Sequence, residues 1–519
     1  MGVIVNETSS SRAFRSASGL LCCLLAGCLL AVSLAAYAAS RDEQRLSRAR
    51  TYVTEQEAAD EEAPTYPRSW RIIPSIELSE TYSSNVTLGS GEDKLDDFIT
   101  QLNPELKAEF NGRRLQADVD FRMQNLLYAK NSDFNDTFYQ YDAEADAELI
   151  EDRVFVEAAS NLWQEIVSTD GSFAFNNLAV TRNRTNVLTA SVSPYWRHRV
   201  GAVAETSLRY QYGVVNFLDN QVTGQTDDSR LNALSLAINS LPKERRFSWS
   251  LQYGQQRVDY VGSDVTTDNL KFERAQADLG YRITAPLEII GAGGYENNDF
   301  GATAVSEEDP QGAIWQAGVR WQPGPHSQFE AAFGQRFFGN TYRVLWRQEA
   351  KRLSTELGYT EELDTDAGAL LVGGRGLART PESIALRGVS RTPDVFLAKR
   401  FLARATLAMP RSELHLDLFN VNRKFLTGGG NDRTQGINAD WAWQAWPRTA
   451  FILGFIWYLN ESRDSDRKDQ PAQISATLQR QIGPDTTGGI EVAHSRVDSD
   501  EPEFAYTDTS ITVNLTHSF

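Results

Sequence analysis

From Ile72 to the C-terminus, apolar and polar residues alternate in segments of ten to fifteen residues separated by turn-formers. Leu115, Ala117, Val119, Phe121 and Met123 interleave with Gln116, Asp118, Asp120, Arg122 and Gln124. Tyr139, Tyr141, Ala143, Ala145, Ala147 and Leu149 interleave with Gln140, Asp142, Glu144, Asp146 and Glu148. Further on, Ala275, Ala277, Leu279, Tyr281 and Ile283 oppose Arg274, Gln276, Asp278 and Arg282. Successive side chains of a strand point to opposite faces, so this pattern predicts strands with one apolar and one wet face.

A soluble β-sandwich also alternates, but it has short strands and similar loops at both ends. Here the connections themselves alternate. Short turns fall at Asn111-Gly112, Glu151-Asp152, Arg199, Pro242-Lys243, Ala285-Pro286, Pro323-Gly324-Pro325, near Lys351, Pro410, Pro447-Arg448 and Gly483-Pro484. Between them lie longer polar loops at about 84–96, 166–183, 213–228, 257–270, 296–311, 362–392, 424–434, 460–472 and 497–505, with brief ones near Asn131 and Asn340. Tight turns at one end and long loops at the other are the habit of outer-membrane barrels, whose apolar face meets lipid and whose polar face lines the lumen. Ten turns and eleven loops make 21 connections. The expected fold is therefore all-β, an antiparallel up-and-down transmembrane barrel of about 22 strands, within 20–24, over residues 71–519, with both termini at the periplasmic end.

The last strand places Ile511, Val513, Leu515 and Phe519 on one face and Thr512, Asn514, Thr516 and Ser518 on the other. It resembles the C-terminal signal that the barrel-assembly machinery reads, although His517 stands where such strands carry an aromatic or apolar residue. Tryptophans at 196, 315, 321, 346, 441, 443, 446 and 457 fall in strands or beside their ends, where amphipathic rings suit a membrane interface. The expected surroundings are outer-membrane lipid and lipopolysaccharide.

Composition narrows the function. The chain has 519 residues, a net charge of -18, 41% hydrophobic and 10% aromatic content, too polar for a bundle of membrane helices and too aromatic for a disordered chain. Its acidity argues against a nucleic-acid partner. The polar phase is mixed, with candidate lumen residues Asp118, Asp120, Arg122, Asp142, Glu144, Asp146, Glu148, Arg274, Asp278 and Arg282, and its acid excess favours cations or neutral sugars over anions. The longest loop, 364–394, contains Gly373, Gly374, Arg375 and Gly376 and is long enough to fold inward as a gate, or to remain outside as an exposed loop. It lacks the Lys-Ser/Thr of a phosphate loop.

The N-terminus reads as an address. Arg12 and Arg15 precede an apolar run from Ala17 to Ala39, and Ala36-Tyr37-Ala38 is a small-x-small site, so residues 1–38 are expected to be a signal peptide cleaved after Ala38. Two alternatives stand beside it: Leu25-Ala26-Gly27-Cys28 is a lipobox that makes Cys28 a lipidated N-terminus, and the run is long enough for an uncleaved anchor. The only cysteines, Cys22, Cys23 and Cys28, lie in this run, so a cleaved chain has no disulfide or thiolate chemistry. Residues 39–70 are a polar periplasmic segment, too short for the folded plug that nutrient-importing barrels of this size carry.

No enzyme, metal or cofactor is expected. Of five histidines only His415, with Glu413 and Asp417 on its face, resembles an acid–base group, and no nucleophile accompanies it. The acidic loops Asp464-Ser465-Asp466 and Asp498-Ser499-Asp500-Glu501 lack calcium-loop spacing.

The first strands carry a resemblance. Trp70-Arg71-Ile72-Ile73-Pro74-Ser75-Ile76-Glu77-Leu78, continuing through Thr81-Tyr82-Ser83-Ser84-Asn85 to Asp97-Phe98-Ile99-Thr100-Gln101-Leu102-Asn103-Pro104, is similar to the opening of the PEP-CTERM system-associated outer-membrane barrel family, with Ser84 where that family has Asp. The resemblance implies a Gram-negative outer-membrane protein encoded beside exosortase and exopolysaccharide machinery, with polysaccharide or periplasmic export components as partners. It assigns no catalytic residues. Three functions are expected: an export conduit, a cation-preferring diffusion porin, or a structural or adhesive barrel with a closed lumen.

Overall fold

The computed structural model describes residues 70–166, 171–218, 228–241, 246–261, 269–301, 310–373, 394–463 and 467–519. The signal segment with Ala36, Ala38 and Cys28, the polar segment up to Ser69, the Pro242-Lys243 turn, Gly374, Arg375 and Gly376, and Asp464 to Asp466 lie outside the described residues.

The first eleven strands are β1 (Trp70–Ser83), β2 (Asp97–Asn111), β3 (Leu115–Tyr128), β4 (Asp136–Ile150), β5 (Val154–Ile166), β6 (Arg184–Val200), β7 (Ala204–Phe217), β8 (Asp228–Ser240), β9 (Phe247–Val261), β10 (Leu270–Thr284) and β11 (Leu287–Asn297). The second eleven are β12 (Gln311–Gly324), β13 (Ser327–Arg336), β14 (Gly339–Glu349), β15 (Leu353–Thr365), β16 (Val395–Met409), β17 (Ser412–Phe425), β18 (Asn431–Trp446), β19 (Thr449–Glu461), β20 (Lys468–Gln481), β21 (Thr486–Ser499) and β22 (Tyr506–Ser518). A single α-helix among the described residues, α1 (Asp366–Gly373), follows β15.

Each strand pairs antiparallel with its neighbours in sequence, and all 22 belong to one sheet. β1 closes it on β22, in register from Ser75 opposite Ser518 to Ser83 opposite Ser510. Closure leaves no free edge, which is how a sheet satisfies its backbone in lipid. The outside bears the apolar phase: Leu78, Leu279, Tyr281, Ile490, Ile511, Val513 and Leu515 are all exposed. Aromatic rings stand outside at both levels, Trp196, Trp321, Trp443 and Trp446 toward the turns and Tyr295, Trp315 and Tyr342 toward the loops. An apolar belt between aromatic girdles on a closed barrel is the surface of an outer-membrane protein. Lipid-facing positions tolerate charge poorly, so Leu279→Arg is expected to cost about 2–4 kcal/mol. Gln252→Arg, on the lumen phase beside Asp278, is expected to change stability by less than about 0.5 kcal/mol. Urea unfolding of the refolded barrel in vesicles measures both.

The strand count matches the sequence expectation, and the boundaries correct it at several places. The turn expected at Arg199 lies at residues 201–203, where Gly201 has φ 57° and takes the left-handed conformation at no steric cost. The brief loop expected near Asn340 turns instead at Phe337 and Phe338, two aromatic residues that conceal a turn from composition. Expected loops at 213–228 and 257–270 are strand as far as Phe217 and Val261, because strands run on past the apolar belt where polarity no longer marks them.

Candidate functional site: a polar lumen beneath a packed mouth

One wall of the lumen is acidic. Register places Asp118 between Glu109 on β2 and Glu144 on β4, and Asp120 between Lys107 and Asp142. Asp146 lies beside Gln116 on one side and Glu157 on the other. Directly opposed residues share a face, so carboxylates from four strands crowd one surface. At its margins the charge is compensated: the Arg122 guanidinium meets Glu77 at 2.8 Å and Glu105 at 3.3 Å, and Arg209 clasps Glu157. Glu148, at the turn end, accepts the backbone N–H of Asp152.

Across the ring, β8 to β14 enclose a cavity of about 1090 Å³ on the lumen side. Side-chain amides and hydroxyls of Ser250, Gln252, Gln276 and Gln316 line it with Arg274, Asp278, Arg282 and Arg320. Here charges come in pairs. Arg320 lies 3.0 Å from Glu288 and 2.9 Å from Glu330, Arg343 is 2.7 Å from Glu330, and Arg336 is 2.6 Å from Glu296. The lumen is thus polarised across its width, with surplus carboxylate on β2–β4 and near balance on β9–β14. A count of acids and bases along the sequence averages this away.

His415 belongs to a third patch. Its Nε2 is 2.8 Å from Glu413 and its Nδ1 3.0 Å from the Thr406 hydroxyl, while Asp440 sits opposite in register. Asp417, grouped with His415 by sequence, is bound by Arg404 at 3.1 Å instead. Among the described residues no group of three or more His, Cys, Asp or Glu is placed to hold a metal ion. In the last strand the His517 ring hydrogen-bonds Thr486 at 2.9 Å and meets the Phe519 ring edge-on.

At the loop end the lumen changes character. Leu126, Val187, Val215, Leu231, Val258, Leu270, Phe419, Val421, Tyr458 and Tyr506 all occupy the inward phase, and all are buried. They pack against segments folded in from the loops. Val86 joins Ile99, Leu126 and Tyr128; Leu88, Phe175 and Ala179 join Phe419, Val421 and Tyr458; Phe300, Ala367, Leu371 and Leu426 join Val187, Val215 and Leu231. The segment 171–183 is tied down by hydrogen bonds from Tyr506 to the Phe173 carbonyl (2.8 Å) and from Tyr128 to the Leu178 carbonyl (2.7 Å). Helix α1 leaves β15 and packs on β6, β7 and β8 on another part of the ring, so it crosses the mouth. Gly213 on β7 admits it, because a Cβ there would lie 2.8 Å from Leu371 Cδ1. Gly373 is the last residue of α1. The sequence carried a signal for this packing that period-two reading passed over: the polar phase of the strands turns apolar in its last few residues before the loops.

Asp366 opens α1 and is buried, and neither carboxylate oxygen has a hydrogen-bond partner. Burial pushes its pKa well above the ordinary carboxylate value, and the nearby Arg423 guanidinium only partly opposes that.

No protein-family model matches this chain, and no characterised protein matches it in sequence. Solved structures with a similar barrel include the FrpB iron transporter of Neisseria meningitidis, at 9% identity over 87% of this chain and 81% of that one, TM-score 0.47. The siderophore receptor PirA of Acinetobacter baumannii is 8% identical over 86% and 80%, TM-score 0.45. The outer-membrane protein OpdK of Pseudomonas aeruginosa is 8% identical over 86% and 99%, TM-score 0.35.

Proposed function

We propose that this protein is an outer-membrane transport conduit, kept shut at its extracellular mouth, that serves the export of exopolysaccharide or another envelope product. The observation that carries the reading is the contrast along the axis: a polar, charged lumen ends beneath loops packed through apolar side chains. Burying apolar residues on the lumen phase stabilises closure by roughly 1.5–3 kcal/mol for each large side chain, which a constitutive pore has no use for. Polyhydroxylated chains suit the amides, hydroxyls and paired charges of the β8–β14 wall. The opening resemblance to exopolysaccharide-associated barrels points the same way. Periplasmic export components are the proposed partners, with the barrel-assembly machinery acting on β22.

A diffusion porin is the second reading, favoured by the polar lumen and opposed by the packed mouth. Single-channel recording in planar bilayers separates the two. At pH 5 the refolded protein is expected to be closed nearly all the time, and a variant with residues 366–393 replaced by a short Gly-Ser turn is expected to conduct in large, steady steps. Steady conductance of the unaltered protein overturns gating and supports the porin; silence of both overturns the conduit and leaves a structural barrel.

A further inference from the structure

Among the described residues of the mouth, Asp366 is a buried carboxyl group that its surroundings do not compensate. The three other carboxylates near Asp366 each have an arginine: Asp364 meets Arg400 at 2.8 Å, Asp432 meets Arg423 at 2.7 Å, and Asp394 meets Arg463. Asp394 also accepts the Thr427 hydroxyl at 3.0 Å. Asp366 has no such bond, and Nη1 of the nearby Arg423 lacks a hydrogen-bond partner too. From β9 the buried Tyr260 hydroxyl approaches the same space. The strands beneath the helix, β6, β7 and β8, present Val187, Gly213, Val215 and Leu231 to it, none of them titratable. The groups around Asp366 are thus one unsaturated guanidinium, one phenol and three carboxylates already paired.

We infer that Asp366 is the positioning residue that holds α1 in the mouth, and that its protonation decides whether the helix stays there. With its proton, Asp366 is neutral and the helix keeps Ala367, Ala369 and Leu371 in their apolar seat. Without it, a carboxylate is left in a buried site beside three others, and moving the helix toward water relieves the cost. The sign follows from the environment. Burial raises the folded-state pKa above that of the solvated carboxylate, so docking is fully stabilised at low pH and weakens as pH climbs through the raised value. The mouth closes in acid and loosens toward neutral and alkaline pH.

This inference deepens the conduit reading, and its test stands apart from conduction. Leu371→Cys is introduced into the mature chain, which has no other cysteine after cleavage at Ala38, and its modification by a water-soluble maleimide is timed between pH 5 and 8. The same variant carrying Asp366→Asn supplies the reference for the thiol's own pH dependence, because asparagine keeps the shape and cannot ionise. The ratio of the two rates is expected to rise at least about tenfold across the range, the factor that one unit of pKa difference gives. A ratio that stays flat overturns the inference. Conductance follows in parallel: open probability rising with pH in the unaltered protein, and low at every pH in Asp366→Asn, is the expected pair. A rising labelling ratio in a barrel silent at all pH values retains the latch and overturns the conduit; conductance whose pH dependence survives in Asp366→Asn overturns the latch and retains the conduit.

Discussion

Arg423→Ala is expected to destabilise the barrel's extracellular end by about 3–5 kcal/mol, the usual cost of removing one partner of a buried ion pair. Arg423 is 1% exposed and bonds Asp432, itself 5% exposed, at 2.7 Å. Its removal takes from Asp432 its buried guanidinium and from Asp366 a nearby cation. Because much of the loss is the penalty of a buried carboxylate deprived of its guanidinium, the double variant Arg423→Met, Asp432→Leu is expected to recover most of the stability. Denaturant unfolding followed by tryptophan fluorescence, with proteolysis of the loops as a local readout, measures both. A single variant that unfolds like the parent sinks the account of this pair as the brace of the mouth.

The second large effect concerns selectivity. Replacing Asp118, Asp120 and Asp142 by Asn and Glu144 by Gln is expected to bring a several-fold cation preference close to unity, read as reversal potential in a salt gradient on the barrel lacking residues 366–393. These carboxylates lie on neighbouring strands within one screening length of each other, about 8 Å at physiological ionic strength, so their fields add at the wall. Neutralising Asp278 on the opposite wall is expected to do little, since Ser250 and Gln252 already donate hydrogen bonds to it at 2.8 and 3.1 Å and Arg274 and Arg282 line the same cavity. Equal effects from the two walls mean that the lumen's polarisation does not control flow.

Much of the barrel is legible in the chain because its determinants are local. Alternation such as Leu115 to Gln124 needs only the two-residue period of a strand, and turns such as Asn111-Gly112 and Pro447-Arg448 need only their own backbone preferences. Arg448, with φ 61°, takes the left-handed conformation at its turn, as does Asp152, with φ 57°, at the Glu151-Asp152 turn. The lumen phase of Asp118, Asp142 and Arg274 follows from the same alternation. What escaped was non-local. Asp417 shares a strand face with His415, yet Arg404 on β16 claims it, a partner fixed by register between strands. Leu126 and Tyr128 continue β3 with no break in alternation, and their burial depends on loop residues such as Val86, some forty positions away.

The sequence by itself determined a closed, antiparallel barrel of about 22 strands with a lipid-facing and a water-facing phase, because hydrophobic period and turn chemistry are properties of neighbouring residues. Only the tertiary structure decided that the water-facing phase splits into an acidic and a charge-balanced wall, and that loop segments pack on apolar residues at its outer end. Those features depend on which strands face one another across the ring and which loops fold back between them. Asp366 shows the difference most plainly: in the chain it is one acidic residue in a polar loop, and in the fold it is a buried carboxyl group without a hydrogen-bond partner, beside three carboxylates that each have an arginine.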